Sequence, residues 1–252
     1  MRWTAGPLGI KDLFTLVNLT GGLLGVLFVM EGQAVWAGYA VLAGYLVGDT
    51  LDGPIARATK TANRFGSELD TATDHFVQAI VPGIIVFDVY ARLGHRTAGF
   101  LLMGALIACA TVRQALFTVA RIGNPLIWCG LPRTVSGFAC MALVLSHTFR
   151  AAGAAALPVG DVLIPVLSIM GLLPIPYMTH RGLRRMQTYV KLLIVGFLAT
   201  PVLAFVISPD YVFDVLFFWT YGYAGTAWFP IYPDEKKAFF ARYREWAKEV
   251  SK

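Results

Sequence analysis

At 252 residues, 57% of them hydrophobic and 14% charged, the chain carries far less charge than the roughly one quarter usual in a globular domain. That deficit, with a mean hydropathy of +0.63, excludes an ordinary water-soluble domain and makes the membrane span the natural unit of length. The net charge of +6 would suit nucleic acid, but the placement of the basic residues below argues otherwise.

Taken in chain order with a ruler of about 20 apolar residues, the sequence offers candidate spans at 13–30, 34–54, 70–91, 97–120, 133–149, 161–178, 189–207 and 211–230. The sixth is interrupted by Pro165, Pro174 and Pro176, and the aromatic-rich eighth can also lie at the interface, so six to eight transmembrane helices are expected. The opening stretch has neither the short apolar core nor the cleavage site of a signal peptide, so the first span is expected to be retained. With eight spans and a cytoplasmic N-terminus, 17 Lys and Arg fall on the cytoplasmic side and three, Arg92, Arg96 and Arg150, on the other. This positive-inside bias accounts for the basic pI without nucleic acid and places residues 48–76 on the cytoplasmic side. Arg133 and the Arg181–Arg185 cluster could hold a substrate phosphate or fix topology, topology being the preferred reading, and Asp161, Asp210 and Asp214 are read as solvated acids of the opposite face.

Gly21 and Gly25, then Gly44 and Gly48, have the small-xxx-small spacing that lets helix backbones approach closely. Cys109, Cys129 and Cys140 form no C-x-x-C pair and read as small hydrophobes. The division expected is a transmembrane domain over 1–231 and a basic, aromatic cytoplasmic tail over 232–252. That tail suits either a helix at the headgroup layer of an anionic leaflet or a solvated helix.

Five of the fifteen acidic residues lie in the stretch 48–76. Asp49 and Asp52 are spaced i,i+3, and Asp70 and Asp74 i,i+4, so each pair shares a helical face. Carboxylates that close repel unless a cation neutralises them, and ionisable residues at span ends are costly and usually functional. Hard oxygen donors without His or Cys suit Mg²⁺ or Mn²⁺, and Mg²⁺ is commonly held by carboxylates together with substrate phosphates. Gly53 permits close backbone approach, and Arg57 offers a planar donor matched to phosphate. Together these residues read as a phosphoryl-transfer site.

The pattern Asp49-x-x-Asp52-Gly53-x-x-Ala56-Arg57, eight residues, Gly66-x-x-x-Asp70-x-x-x-Asp74 resembles the signature of the CDP-alcohol phosphotransferases. The resemblance implies an all-α integral membrane protein, a homodimer in the cytoplasmic membrane, with its polar metal site at the cytoplasmic side. It implies that Asp49, Asp52, Asp70 and Asp74 hold two divalent ions, Mg²⁺ or Mn²⁺. Asp74 would also be the catalytic base, and Asn18, Gly53, Arg57 and Asn63 would contact a CDP-lipid such as CDP-diacylglycerol. The reaction implied passes the donor's phosphatidyl group to a small alcohol, and CMP leaves. His75 follows Asp74 but points about 100° away around a helix and is read as a neighbour.

The stretches "VRQALF" (112–117), "CGLPRTVSG" (129–137) and "IPYMTHRG" (175–182) resemble the phosphatidylserine synthase branch in order and spacing. Arg113, Ala115, Phe117, Gly130, Leu131, Pro132 and Tyr177 match it; Leu116, Thr118 and Met178 replace the Arg, Asn and Pro of that pattern. L-Serine is therefore the first acceptor expected, with glycerol phosphate, inositol phosphate or another amino alcohol behind it. Arg113, alone among basic residues within a span, is expected to meet an anionic group of the acceptor. A cation- or proton-coupled transporter is the alternative of another class, but its acids would be spread over several spans at broken helices.

Overall fold

The computed structural model describes residues 9–51, 63–119, 127–179 and 188–250. Asp52, Gly53, Arg57 and the Arg181–Arg185 cluster lie outside them, so the roles expected of these residues have no structural counterpart here. Among the described residues the chain is almost wholly helical.

Among the described residues, four helical stretches are long and apolar enough to cross a membrane: Lys11–Met30, Arg64–Arg92, Arg96–Thr118 and His147–Met170. Three shorter apolar helices, Ala34–Asp49, Arg133–Leu145 and Lys191–Ile207, accompany them, and Val212–Thr226 forms a further helix. We number the helices α1 (Ile10–Met30), α2 (Ala34–Gly44), α3 (Arg64–His75), α4 (Val81–Arg92), α5 (Arg96–Val119), α6 (Arg133–Leu145), α7 (His147–Ala152), α8 (Leu157–Met170), α9 (Thr188–Ile207), α10 (Val212–Thr226) and α11 (Pro233–Val250).

The burial pattern explains the short members. From Ser136 to Leu145 every residue of α6 is buried, so this helix is surrounded by protein. A helix apolar all round belongs in such a core, whatever its length. By contrast α1 exposes Leu13, Leu16, Leu23, Leu24 and Leu27, and α9 exposes Leu192, Val195, Val202, Leu203 and Val206. Outward faces of this kind call for an apolar solvent.

Glycines set the approach of α1 to α2. A Cβ on Gly21 would lie 2.6 Å from the Ala40 carbonyl oxygen and 2.7 Å from the Gly44 Cα. At Gly48 it would lie 2.6 Å from the Asn18 nitrogen. The small-xxx-small spacing thus brings Asn18 beside the end of the second helix, where Asp49 sits. Immediately before that point the helix widens into a π-helical turn, Tyr45–Asp49, and a second such turn, Phe76–Ile80, joins α3 to α4. A π turn inserts a residue into the helical register, re-aiming the side chains around it, and such turns frequently mark functional sites.

Three expectations are corrected. The span expected at 161–178 is part of a helical stretch from His147 to Met170 that ends before Pro174 and Pro176. Those prolines hold the chain extended instead. Pro176–Met178 (β2) pairs antiparallel with Ile127–Cys129 (β1), placing Trp128 opposite Tyr177 in a two-stranded ribbon that an all-helical reading omits. Asp214, expected to be merely solvated, accepts hydrogen bonds from the backbone N–H groups of His147 (2.7 Å) and Thr148 (3.2 Å), satisfying the open N-terminus of α7.

The tail is docked rather than apart. In α11, Phe239 is fully buried against Ile127, Cys129, Met178 and Ile231, and Trp246 stacks on Phe117 with centroids 6.2 Å apart. Cys129 is a packing group there: burial pushes its thiol up to about 11, which keeps it protonated and inert.

Candidate metal and transfer site

The site is assembled from residues of several helices. Asp49 closes the π turn that follows α2, and Asp70 and Asp74 stand one turn apart on α3. Asn63 caps α3, its side-chain oxygen accepting from the Gly66 N–H at 2.7 Å. This fixes where the helix begins and hence the phase of the two aspartates. Gly66 lets α3 sit close to the start of α1: a Cβ there would have to displace the side-chain ends of Asp12 and Lys11, which pair at 3.2 Å.

Asp49, Asp70 and Asp74, all half-buried, each offer a carboxylate oxygen within 4.8 Å of the others. Three negative charges so close, partly withdrawn from water, are unfavourable unless cations balance them. The donor set of hard oxygens, with no thiolate or imidazole in the group, fits a Mg²⁺- or Mn²⁺-like ion. Asp52, the remaining carboxylate expected in this set, lies outside the described residues.

Two further side chains converge on Asp74. Asn18, almost fully buried, donates from Nδ2 to Asp74 Oδ1 at 3.4 Å, and its own Oδ1 is buried with no partner among the described residues. Arg133, the first residue of α6, donates from Nη2 to Asp74 Oδ2 at 3.3 Å and from Nη1 to Gln114 Oε1 at 2.7 Å. Asn18, expected to face the nucleotide, thus addresses Asp74 with its amide nitrogen. Arg133, expected to mark topology in preference to holding donor phosphate, stands against the acidic cluster.

The ribbon explains that placement. Gly130 has φ +71°, and a Cβ on it would collide with the Gly171 carbonyl, so glycine is required at this turn. The Gly130 N–H donates to the Ile175 oxygen at 2.8 Å and the Leu131 N–H to the Met170 oxygen at 3.0 Å. Arg113, expected to meet the acceptor, donates from Nε to the Leu131 oxygen and from Nη2 to the Cys129 oxygen, both at 3.1 Å. Its guanidinium also lies over the Phe117 ring, 4.5 Å from the centroid. A buried arginine is thereby satisfied by the turn that delivers Arg133. Tyr177 and Tyr223 lock the ribbon to α10, donating to the Ala224 and Met178 carbonyls at 2.9 and 2.6 Å.

His75 points away from the cluster as expected, its Nε2 lying 3.2 Å from Thr111 Oγ1 on α5. Gln78 and Thr134 hold the other side of the site together, Thr134 Oγ1 donating to Gln78 Oε1 at 2.6 Å.

The family model described as CDP-alcohol phosphatidyltransferase matches residues 9–220. Similar curated proteins include the CDP-diacylglycerol–serine O-phosphatidyltransferase of Helicobacter pylori, 26% identical over 122 residues, which is 48% of this chain and 51% of that protein. The Methanocaldococcus jannaschii protein of the same name is 26% identical over 125 residues, 49% of this chain and 54% of its own length. That of Mycobacterium tuberculosis is 25% identical over 108 residues, 43% of this chain and 37% of its own. The match spans about half the length of the first two relatives and less of the third.

Proposed function

Because the chain belongs to the CDP-alcohol phosphatidyltransferase family, we propose that it transfers the phosphatidyl group of CDP-diacylglycerol, or a similar CDP-lipid, to the hydroxyl of a small alcohol, releasing CMP. The observation that carries this reading is the convergence of Asp49, Asp70 and Asp74, the motif carboxylates of the described residues, within 4.8 Å. Their oxygens would hold a divalent ion, with Asp52 completing the set. A divalent ion bound there supplies positive charge to the donor's diphosphate and to the oxygens that change charge during transfer.

The remaining chemistry falls to the chain. Positioning and charge neutralisation are most of what transfer at phosphorus requires. A neutral hydroxyl is a poor nucleophile, so a carboxylate within reach must take its proton as the new P–O bond forms. We assign this step to Asp74, which stands one turn beyond Asp70 and is oriented by donors from two other helices. Gly53 and Arg57 would receive the nucleotide and its phosphates. The helices α1 and α9 leave apolar faces along which a diacyl chain can lie. The acidic site would face the cytoplasm.

L-Serine is the acceptor supported first, because the relatives named above are serine transferases and Gly130, Pro132 and Tyr177 build the turn that delivers Arg133. The test is a screen of labelled alcohols with CDP-diacylglycerol, purified protein and Mg²⁺ or Mn²⁺. Serine should give a labelled lipid and stoichiometric CMP. Label entering from glycerol phosphate or inositol phosphate alone would reassign the acceptor, and no labelled lipid from any alcohol would end the reading.

A further inference from the structure

Arg133 grips the acidic cluster with one nitrogen and is itself gripped through another. Nη2 reaches Asp74 on α3, and Nη1 reaches Gln114 on α5. Gln114 is oriented in turn: its Nε2 donates to Thr118 Oγ1 at 3.3 Å, and Thr118 Oγ1 donates back to the Gln114 carbonyl at 2.9 Å. The relay therefore runs from Thr118 through Gln114 and Arg133 to Asp74, across three helices. The Arg133 side chain is 14% exposed and that of Asp74 17%, so neither is free to swing into bulk water.

We propose that Arg133 is a positioning residue of the transfer reaction, fixing the plane of the Asp74 carboxylate, and that Gln114 acts by fixing Arg133. The proposal rests on the functional reading above. A guanidinium suits the task because its planar fork points two donors at two acceptors at once, whereas a lysine ammonium is a point charge on a flexible stem. The same placement makes Arg133 a competitor of the metal. It is a fixed positive charge beside one of three carboxylates that attract a divalent ion, so it weakens that attraction while orienting the oxygen it touches. The electrostatic effect follows from the charge alone, so the orienting effect is what separates a positioning residue from one that only ties helices together.

The full chain, purified in lipid nanodiscs, allows two independent readouts. Mn²⁺ binding is titrated by electron paramagnetic resonance without any lipid substrate, and turnover is measured with CDP-diacylglycerol and the acceptor found active. Arg133→Gln should bind Mn²⁺ at least about threefold more tightly than the wild type, because a neighbouring positive charge is gone. Arg133→Lys should bind Mn²⁺ as the wild type does, yet lose about tenfold in kcat with the donor KM within about threefold. Gln114→Leu should lower kcat in the wild-type background and cause no further loss in Arg133→Lys, since neighbours acting through one another are not additive. Unchanged or weaker Mn²⁺ binding in Arg133→Gln, or full additivity of Gln114→Leu with Arg133→Lys, would overturn the proposal. A wild-type protein that turned over no CDP-lipid, with the Mn²⁺ shift intact, would end the transfer reading and leave the arginine's hold on the cluster standing.

Discussion

Asn18 and Asp74 are 56 positions apart in the chain and meet at 3.4 Å, amide nitrogen to carboxylate oxygen. The contact exists because Gly21, Gly44 and Gly48 let α1 lie directly on the second helix, and because Gly66 lets the start of α3 lie on Lys11 and Asp12. Packing between backbones thus sets the orientation of a carboxylate in the site.

That relationship separates two roles for Asn18. If it serves Asp74, Asn18→Leu should lower kcat by about tenfold or more, the usual cost of losing a hydrogen bond to a charged group. Affinity for the CDP-lipid should stay within about threefold. Donor titration and turnover on the same preparation decide between them. A large loss of donor affinity with kcat preserved would return Asn18 to the nucleotide.

Chelation is the second prediction. EDTA should abolish turnover, and Mg²⁺ or Mn²⁺ should restore it, because three carboxylates within 4.8 Å cannot hold a diphosphate without cations. Asp49→Asn and Asp70→Asn should each leave folded, nearly inactive protein, read by circular dichroism beside the activity assay. Full activity in either variant would remove that residue from the metal set.

The clustering of carboxylates was legible in the sequence because residue type and spacing carry it directly. Four aspartates at i,i+3 and i,i+4 in a chain this poor in charge have few bland explanations, and the structure brings Asp49, Asp70 and Asp74 together. Arg133 was opaque for the opposite reason. A basic residue at the end of an apolar helix is also what the positive-inside bias produces, and only tertiary packing shows that it turns inward to Asp74. The ribbon was opaque because three-residue strands have no periodicity to read. Hydropathy located the apolar run expected to span at 133–149 but missed that α6 is a short core helix ending at Leu145, since an apolar run has the same composition in either setting.

Gly137 gives a stability prediction. A Cβ there would collide with the Gln78 carbonyl oxygen, where α6 crosses the second π turn. Gly137→Ala should therefore destabilise the protein by about 1–3 kcal/mol, the usual cost of overpacking. Thermal unfolding in detergent would show it as a lowered Tm. An unchanged Tm would mean that the two elements part without cost.

The docking of α11 is tested at Phe239. Truncating this fully buried ring to alanine should cost about 3–5 kcal/mol of packing. Residues 233–250 should then become sensitive to limited proteolysis. Continued protection would mean that the headgroup layer, rather than Ile127, Cys129 and Met178, holds this helix.

The central claim is that the carboxylate cluster performs transfer at phosphorus with Asp74 as the proton acceptor. The most direct measurement is CDP-diacylglycerol binding and CMP release by purified Asp74→Asn beside the wild type, with Mg²⁺ or Mn²⁺ and acceptor present. The expected result is donor affinity within about tenfold of the wild type, a change of about 1.4 kcal/mol, with CMP release abolished. CMP release by Asp74→Asn at a rate near that of the wild type would contradict the claim and send the search for the base elsewhere.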